Sequence, residues 1–108
     1  MKRLLLSFTL FLSITLFLFR VQVYAGVTGK IAGKVTDAET REELIGINVL
    51  IEGTTLGAAT NIDGTYIINN IEPGVYTLII SGVGYQKKMI TNVRVSSDFT
   101  TRIDVQLV

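Results

Sequence analysis

From Lys30 onward the chain alternates apolar and polar residues with a period of two, and turn residues interrupt the alternation roughly every 8 to 12 positions. Period two sends successive side chains to opposite faces of an extended strand, so this pattern commits the segment to half-buried β-strands. Ile31, Gly33 and Val35 share one face of KIAGKVT, and Lys30 and Lys34 share the other. Ile47, Val49 and Ile51 line up in the same way within GINVLIE. Tyr66 with Ile68, then Tyr76, Leu78 and Ile80, then Ile103, Val105 and Leu107 complete the inward set. No helical i, i+3, i+4, i+7 stripe competes with this period after residue 25. Between the strands lie Asn61-Ile62-Asp63-Gly64, Glu72-Pro73-Gly74 and Gly82-Val83-Gly84, sequences whose glycines and proline suit tight turns. The pattern predicts an all-β fold of seven short strands, read as an antiparallel β-sandwich. A small barrel of the same strand count satisfies the period equally.

The first 25 residues stand apart. Lys2 and Arg3 precede the apolar run LLLSFTLFLSITLFLF, and Arg20 closes it. Sixteen helical residues would reach only about 24 Å, short of the ~30 Å hydrocarbon core of a bilayer. Val23 and Ala25 have the small side chains expected at −3 and −1 of a signal-peptidase site. Residues 1–25 are therefore expected to be a signal peptide cut between Ala25 and Gly26, with 26–108 as the single exported domain. An uncleaved anchor is the competing reading. The missing cysteine at the cut excludes a lipoprotein anchor.

Inventory narrows the chemistry. The segment from Gly26 to Val108 carries seven Lys/Arg against nine Asp/Glu, a formal charge of −2. A nucleic-acid binder needs a basic stripe to neutralise phosphates, and none is present. The chain has no His and no Cys, which closes the usual zinc sites, Ser–His–Asp hydrolysis and thiolate catalysis. No enzyme activity, cofactor or metal is expected.

Local motifs have ordinary readings. Asn61-x-Asp63-Gly64 resembles part of a calcium loop, but Glu72, at the twelfth position, lies beyond a predicted strand. Gly82-Val83-Gly84 is followed by a strand rather than the helix that a phosphate loop requires. Lys87-Lys88 is the only adjacent basic pair after the leader. Tyr85, just past a glycine-rich break, could present its ring for docking. Tyr85, Lys87 and Lys88 form the candidate partner-binding surface, with the strand edges of Gln86–Val95 as a site for added pairing.

Gly33-Lys34-Val35-Thr36-Asp37, Leu44-Ile45-Gly46-Ile47-Asn48-Val49 and the run from Glu52 to Tyr66 occur in one order, followed by Ile71-Glu72-Pro73-Gly74-Val75-Tyr76 and Ser81-Gly82-Val83-Gly84-Tyr85. Together these resemble the carboxypeptidase regulatory-like domain, a transthyretin-like β-sandwich, in the form found at the N-terminus of Bacteroidetes-type TonB-dependent outer-membrane receptors. Thr60-Asn61 stands where the family often has Thr-Asp. The resemblance implies a non-catalytic accessory domain at the periplasmic face of the outer membrane, stand-alone or as part of a receptor. Its partner would be a receptor plug or barrel, or a TonB-type protein, and the domain itself would be a monomer. The alternative is a secreted carbohydrate-binding module, which requires Tyr85 and other rings to share one exposed face.

Overall fold

A computed structural model describes residues 27–108, so the leader and the Ala25–Gly26 site lie outside the described residues. Eight strands follow in order: β1 (Gly29–Asp37), β2 (Asn48–Ile51), β3 (Gly57–Ala59), β4 (Thr65–Ile71), β5 (Gly74–Ser81), β6 (Lys88–Val95), β7 (Thr100–Arg102) and β8 (Val105–Leu107). They form two sheets. One has the order β4–β1–β7, with β8 continuing along β1, and the other has the order β3–β2–β5–β6. The all-β sandwich expected from the period is the fold observed.

The inward faces are those the alternation assigns. Ile31, Val35, Ile47, Val49, Ile51, Tyr66, Ile68, Leu78, Ile80, Val105 and Leu107 are all buried, joined by Ile71, Val93 and Val95. Tyr76 and Ile103 are partly buried against this core.

Two details depart from the sequence expectation. β7 and β8 run parallel to β1, with Ile31 opposite Thr101 and Val35 opposite Val105. The remaining pairings within the sheets are antiparallel. The eighth strand arises because the last predicted strand is split at Ile103–Asp104. There the Ile103 carbonyl turns inward toward β1, and three groups adapt to it. Gly33 leaves the space. The Tyr66 hydroxyl donates to the Ile103 carbonyl at 2.6 Å, and the Ile103 amide donates to the Ala32 carbonyl at 2.9 Å. The Lys34 amide, which meets no ladder carbonyl at the break, donates instead to Asp104 Oδ1 at 2.9 Å.

Asparagine marks the irregularities within strands. Register shifts occur in the β1–β4 and β5–β6 pairings, and Asn70 and Asn92 beside them adopt φ of 60° and 58°. Asparagine tolerates this left-handed region better than most residues, and such bulges bend the strand that carries them.

Thr60 is the buried polar residue of the core. Its Oγ1 donates to the Leu44 carbonyl at 2.5 Å and accepts from the Ile47 amide at 2.9 Å. The Gly46 amide donates to the Thr60 carbonyl at 2.9 Å. One side chain thus fixes the path of the long loop into β2.

Candidate functional site

The loop joining β5 to β6 carries Tyr85 and Lys87, and Lys88 opens β6. Gly84 takes φ of 87°, and the Tyr85 amide donates to the Gly82 carbonyl at 3.2 Å, which closes the turn. Val83 stands fully exposed at its tip. Tyr85 is half-buried and packs against the core. Its hydroxyl donates to Asp37 Oδ2 at 2.8 Å, tying the loop to the end of β1. Lys88 directs its ammonium to the Gln106 carbonyl at 3.2 Å, and the Gln86 amide donates to the Val108 carbonyl at 2.9 Å. Of the three candidates, Tyr85 and Lys88 make contacts that hold the sandwich together, and Lys87 points to solvent. Val83 and Asp37 belong to the same surface. Sequence reading missed Asp37 because it lies 48 positions from Tyr85.

Asp37 is a hub. Its Oδ1 accepts from the Glu39 amide at 2.8 Å and the Thr40 amide at 3.0 Å. The Thr40 amide, the Tyr85 hydroxyl and the Glu39 amide hold its carboxyl below the ordinary value of 3.8. In return, the Asp37 carboxylate raises the Tyr85 phenol above its ordinary range. At Tyr66, burial and the nearby Asp104 charge push the phenol up to about 12.

These shifts set the pH response by linkage. Asp37 is more acidic folded than unfolded, so its contribution is complete above pH 3.8 and is lost as the pH falls toward the lower folded value. Tyr66 is less acidic folded, so its contribution is complete below pH 10 and is lost as the pH rises toward 12. Stability measured by chemical denaturation should fall at both extremes. Asp37→Asn should flatten the acid limb, and Tyr66→Phe the alkaline one. An acid limb unchanged in Asp37→Asn would show that other carboxylates dominate it.

The Asn61–Gly64 segment is a turn, as its glycine suggested. Asn61 Oδ1, the oxygen a cation would need, instead accepts from the Asp63 amide at 3.0 Å, the Thr65 amide at 3.0 Å and the Thr65 hydroxyl at 2.9 Å.

The strand edges differ from one another. β6, read from the sequence as an edge open to pairing, is the outer strand of its sheet, and its Arg94 carbonyl accepts the Thr101 hydroxyl at 2.7 Å. On the outer face of the second sheet, Leu50 of β2 pairs with Ile79 of β5, and Ile79 pairs with Met89 of β6. This row forms an apolar stripe in which Leu50 and Met89 are exposed. The aromatic rings do not gather on one face. Tyr66 is in the core, Tyr76 donates its hydroxyl to the Glu72 carbonyl at 2.6 Å, and Tyr85 is committed to Asp37. Exposed Phe99 lies in the turn between β6 and β7. The shared ring platform that sugar binding requires is not formed by these residues.

Comparison with solved structures finds the same fold in several settings. The chain is similar to one in a type II cohesin–X–dockerin complex from Acetivibrio cellulolyticus, with 24% identity and a TM-score of 0.64 over 71% of this chain and 52% of that one. It also resembles a putative carbohydrate-binding protein from Bacteroides uniformis, at 19% identity and a TM-score of 0.60, covering 77% of this chain and 42% of that one. The Bacillus anthracis TIE protein matches at 20% identity and a TM-score of 0.57, over 75% of this chain and 16% of that one. The chain thus spans about half or less of each of these proteins, and the likeness is one of fold. Comparison with curated proteins gives no match. The model of one family, the CarboxypepD_reg-like domain, matches residues 31–108, the whole sandwich from the second residue of β1's inward face to the last residue, and the chain belongs to that family.

Proposed function

We propose that this chain is an exported, non-catalytic interaction domain acting at the periplasmic face of an outer membrane, within a TonB-dependent receptor system. One observation carries the reading: the tyrosines of the described residues and the polar side chains that anchor the turns are spent on the fold itself. Asp37, Asn61, Thr60, Tyr66, Tyr76 and Tyr85 all bond to groups of the same domain. Among the described residues, every buried side-chain polar atom has a partner. Catalytic sites, by contrast, hold polar groups poised for a substrate. What this domain turns outward is contact surface: the Leu50–Ile79–Met89 stripe, the Val83–Lys87 loop tip and a strand edge. The family supports the same reading, since its members are regulatory-like domains by description. The signal-type leader supports export.

The test uses protein expressed with its leader and purified after export. It is titrated by calorimetry against a TonB C-terminal domain and, separately, against a detergent-solubilised TonB-dependent receptor from the same organism. Saturable binding to one of them is expected. Val83→Asp combined with Lys87→Glu should weaken it at least tenfold if the loop takes part. A folded domain that binds neither protein would overturn the proposal.

A further inference from the structure

Counting the backbone groups at the sheet edges singles out β4. The Ile103 amide donates to Ala32, and the Lys30 amide donates to the Phe99 carbonyl at 3.1 Å. Even-numbered residues of β1 therefore turn their backbone toward β7. Odd-numbered Ile31 and Gly33 turn theirs toward β4, where they pair with Ile68 and Tyr66. By the same alternation, Thr65, Ile67 and Asn69 of β4 turn their N–H and C=O away from β1. Thr65 is satisfied locally, because its amide donates to Asn61 Oδ1 and its carbonyl accepts the Asn61 amide at 3.0 Å. On that side no strand pairs with β4 among the described residues. Ile67 and Asn69 thus keep two donors and two acceptors facing outward.

We infer that β4 accepts an added β-strand along Ile67–Asn69, from an extended, uncharged partner segment with apolar residues at alternate positions. This deepens the interaction-domain reading and rests on it.

The side chains fit this occupant. An edge strand is normally guarded by charge, proline or brevity. The sequence of β4, TYIINNI, has no charged residue and no proline over seven positions. β3 is only three residues long, and β6, the other outer strand of that sheet, carries Lys88 and Arg94 and has its Arg94 carbonyl taken by the Thr101 hydroxyl. An uncharged acceptor gives no ion-pair contribution to a charged donor strand and makes that strand lose hydration. The partner segment is therefore uncharged.

The surroundings fit as well. A groove between β3 and β4 is lined by Ala58, Ala59, Asn61, Thr65, Tyr66 and Ile67. The two alanines are small enough for a backbone to approach. Ala58 is partly buried against the core, so an apolar residue of an added strand would cover it. On the outer face the donor strand would shield Ile67, which is half exposed. The left-handed Asn70 ends the straight part of the edge. The docking window is thus short, matched to a segment of about three to five residues.

The experiment titrates ¹⁵N-labelled exported protein with a soluble probe peptide, acetyl-Ser-Val-Thr-Val-Thr-Val-Ser-amide, followed by NMR. Saturable shifts centred on the Ile67 and Asn69 amides are expected, with at least tenfold slower hydrogen exchange at both. Ile67→Pro removes only an outward N–H, a position where a strand tolerates proline, and should lower the affinity at least tenfold. Ile67→Lys should do the same while keeping a native spectrum, which covers the case in which proline distorts the strand. Shifts centred on Lys88–Val95, or no saturable shift at millimolar peptide, would overturn the inference. So would Ile67 and Asn69 amides already protected in the free protein. The receptor titration answers separately. A receptor bound equally well by Ile67→Lys would remove β4 while leaving the interaction domain standing. Peptide pairing without receptor or TonB binding would do the reverse.

Discussion

Gly33→Ala is expected to cost the domain most of its stability, on the order of 4–6 kcal/mol out of the ~5–15 that a small domain has. A Cβ at this position would lie 1.8 Å from the Ile103 carbonyl oxygen and 2.6 Å from its carbon. Both are backbone atoms, so no rotamer change can relieve the contact. The carbonyl is also held in place, by the Tyr66 hydroxyl at 2.6 Å, while the amide of the same residue is bonded to Ala32. Admitting the methyl group means moving the β7–β8 junction off β1. That breaks both bonds and strands a carbonyl in the interior, at about 1–3 kcal/mol for the unpaired group alone. The displacement also loosens Val105 and Leu107, which immediately follow. Gly74→Ala is the matched control, since a Cβ there meets only ordinary contacts at 3.4 Å and beyond with the Tyr76 ring. It should change stability by no more than about 1 kcal/mol. Urea melts followed by circular dichroism decide the matter. A Gly33→Ala midpoint close to that of Gly74→Ala would show that the junction is not packed against β1 as described.

The same junction shows which parts of the fold the sequence displays and which it hides. Period two reports the face a side chain occupies. Ile103, Val105 and Leu107 turn inward through the break as though it were one strand. Period two does not report which strand lies alongside, so parallel pairing of β7 and β8 with β1 could not be read from it. Such pairing joins residues about 70 positions apart, as in Ile31 with Thr101, and depends on the packed whole. Gly33 looked like one inward residue among others. Only the position of the Ile103 carbonyl shows why a side chain is excluded there.

Turns were more legible than bulges. Gly64 and Gly84 adopt φ of 73° and 87°, where glycine in a turn context points to chain reversal. The left-handed residues at Asn70 and Asn92 had only the mild tolerance of asparagine as a signal, inside segments that otherwise read as strand. The candidate surface was legible in its location but not in its bonding. Lys87 is exposed as a strand-edge lysine should be. Tyr85 owes its role to Asp37, and Lys88 owes its contact to Gln106, both partners distant in sequence. The open edge of β4 was hidden for the same reason, since openness depends on sheet order and the sequence does not state that order.

Removing Thr101–Val108 is expected to abolish cooperative folding of the chain. Val105 and Leu107 are almost completely buried, and burying each such side chain contributes about 1.5–3 kcal/mol. Ile103 adds part of the same term. The deletion also removes the acceptor of the Tyr66 hydroxyl, the donor to Ala32, the Asp104 oxygen that satisfies the Lys34 amide, and the acceptor of the Gln86 amide. The sheet built on β1 would be reduced to β1 and β4, and a two-stranded ribbon is marginal by itself. Its inner face, with Ile31 and Val35, would open to water along the flank that β7 and β8 cover. These losses together reach the whole of a small domain's stability. Removing Val108 alone provides the contrast, because its side chain is exposed and only its carbonyl is engaged, by Gln86. That shorter change should cost about 1 kcal/mol. Thermal melts of both truncations, followed by far-ultraviolet circular dichroism, separate the outcomes. A cooperative transition in the chain lacking Thr101–Val108 would mean that the terminal strands are dispensable and that the core closes without them.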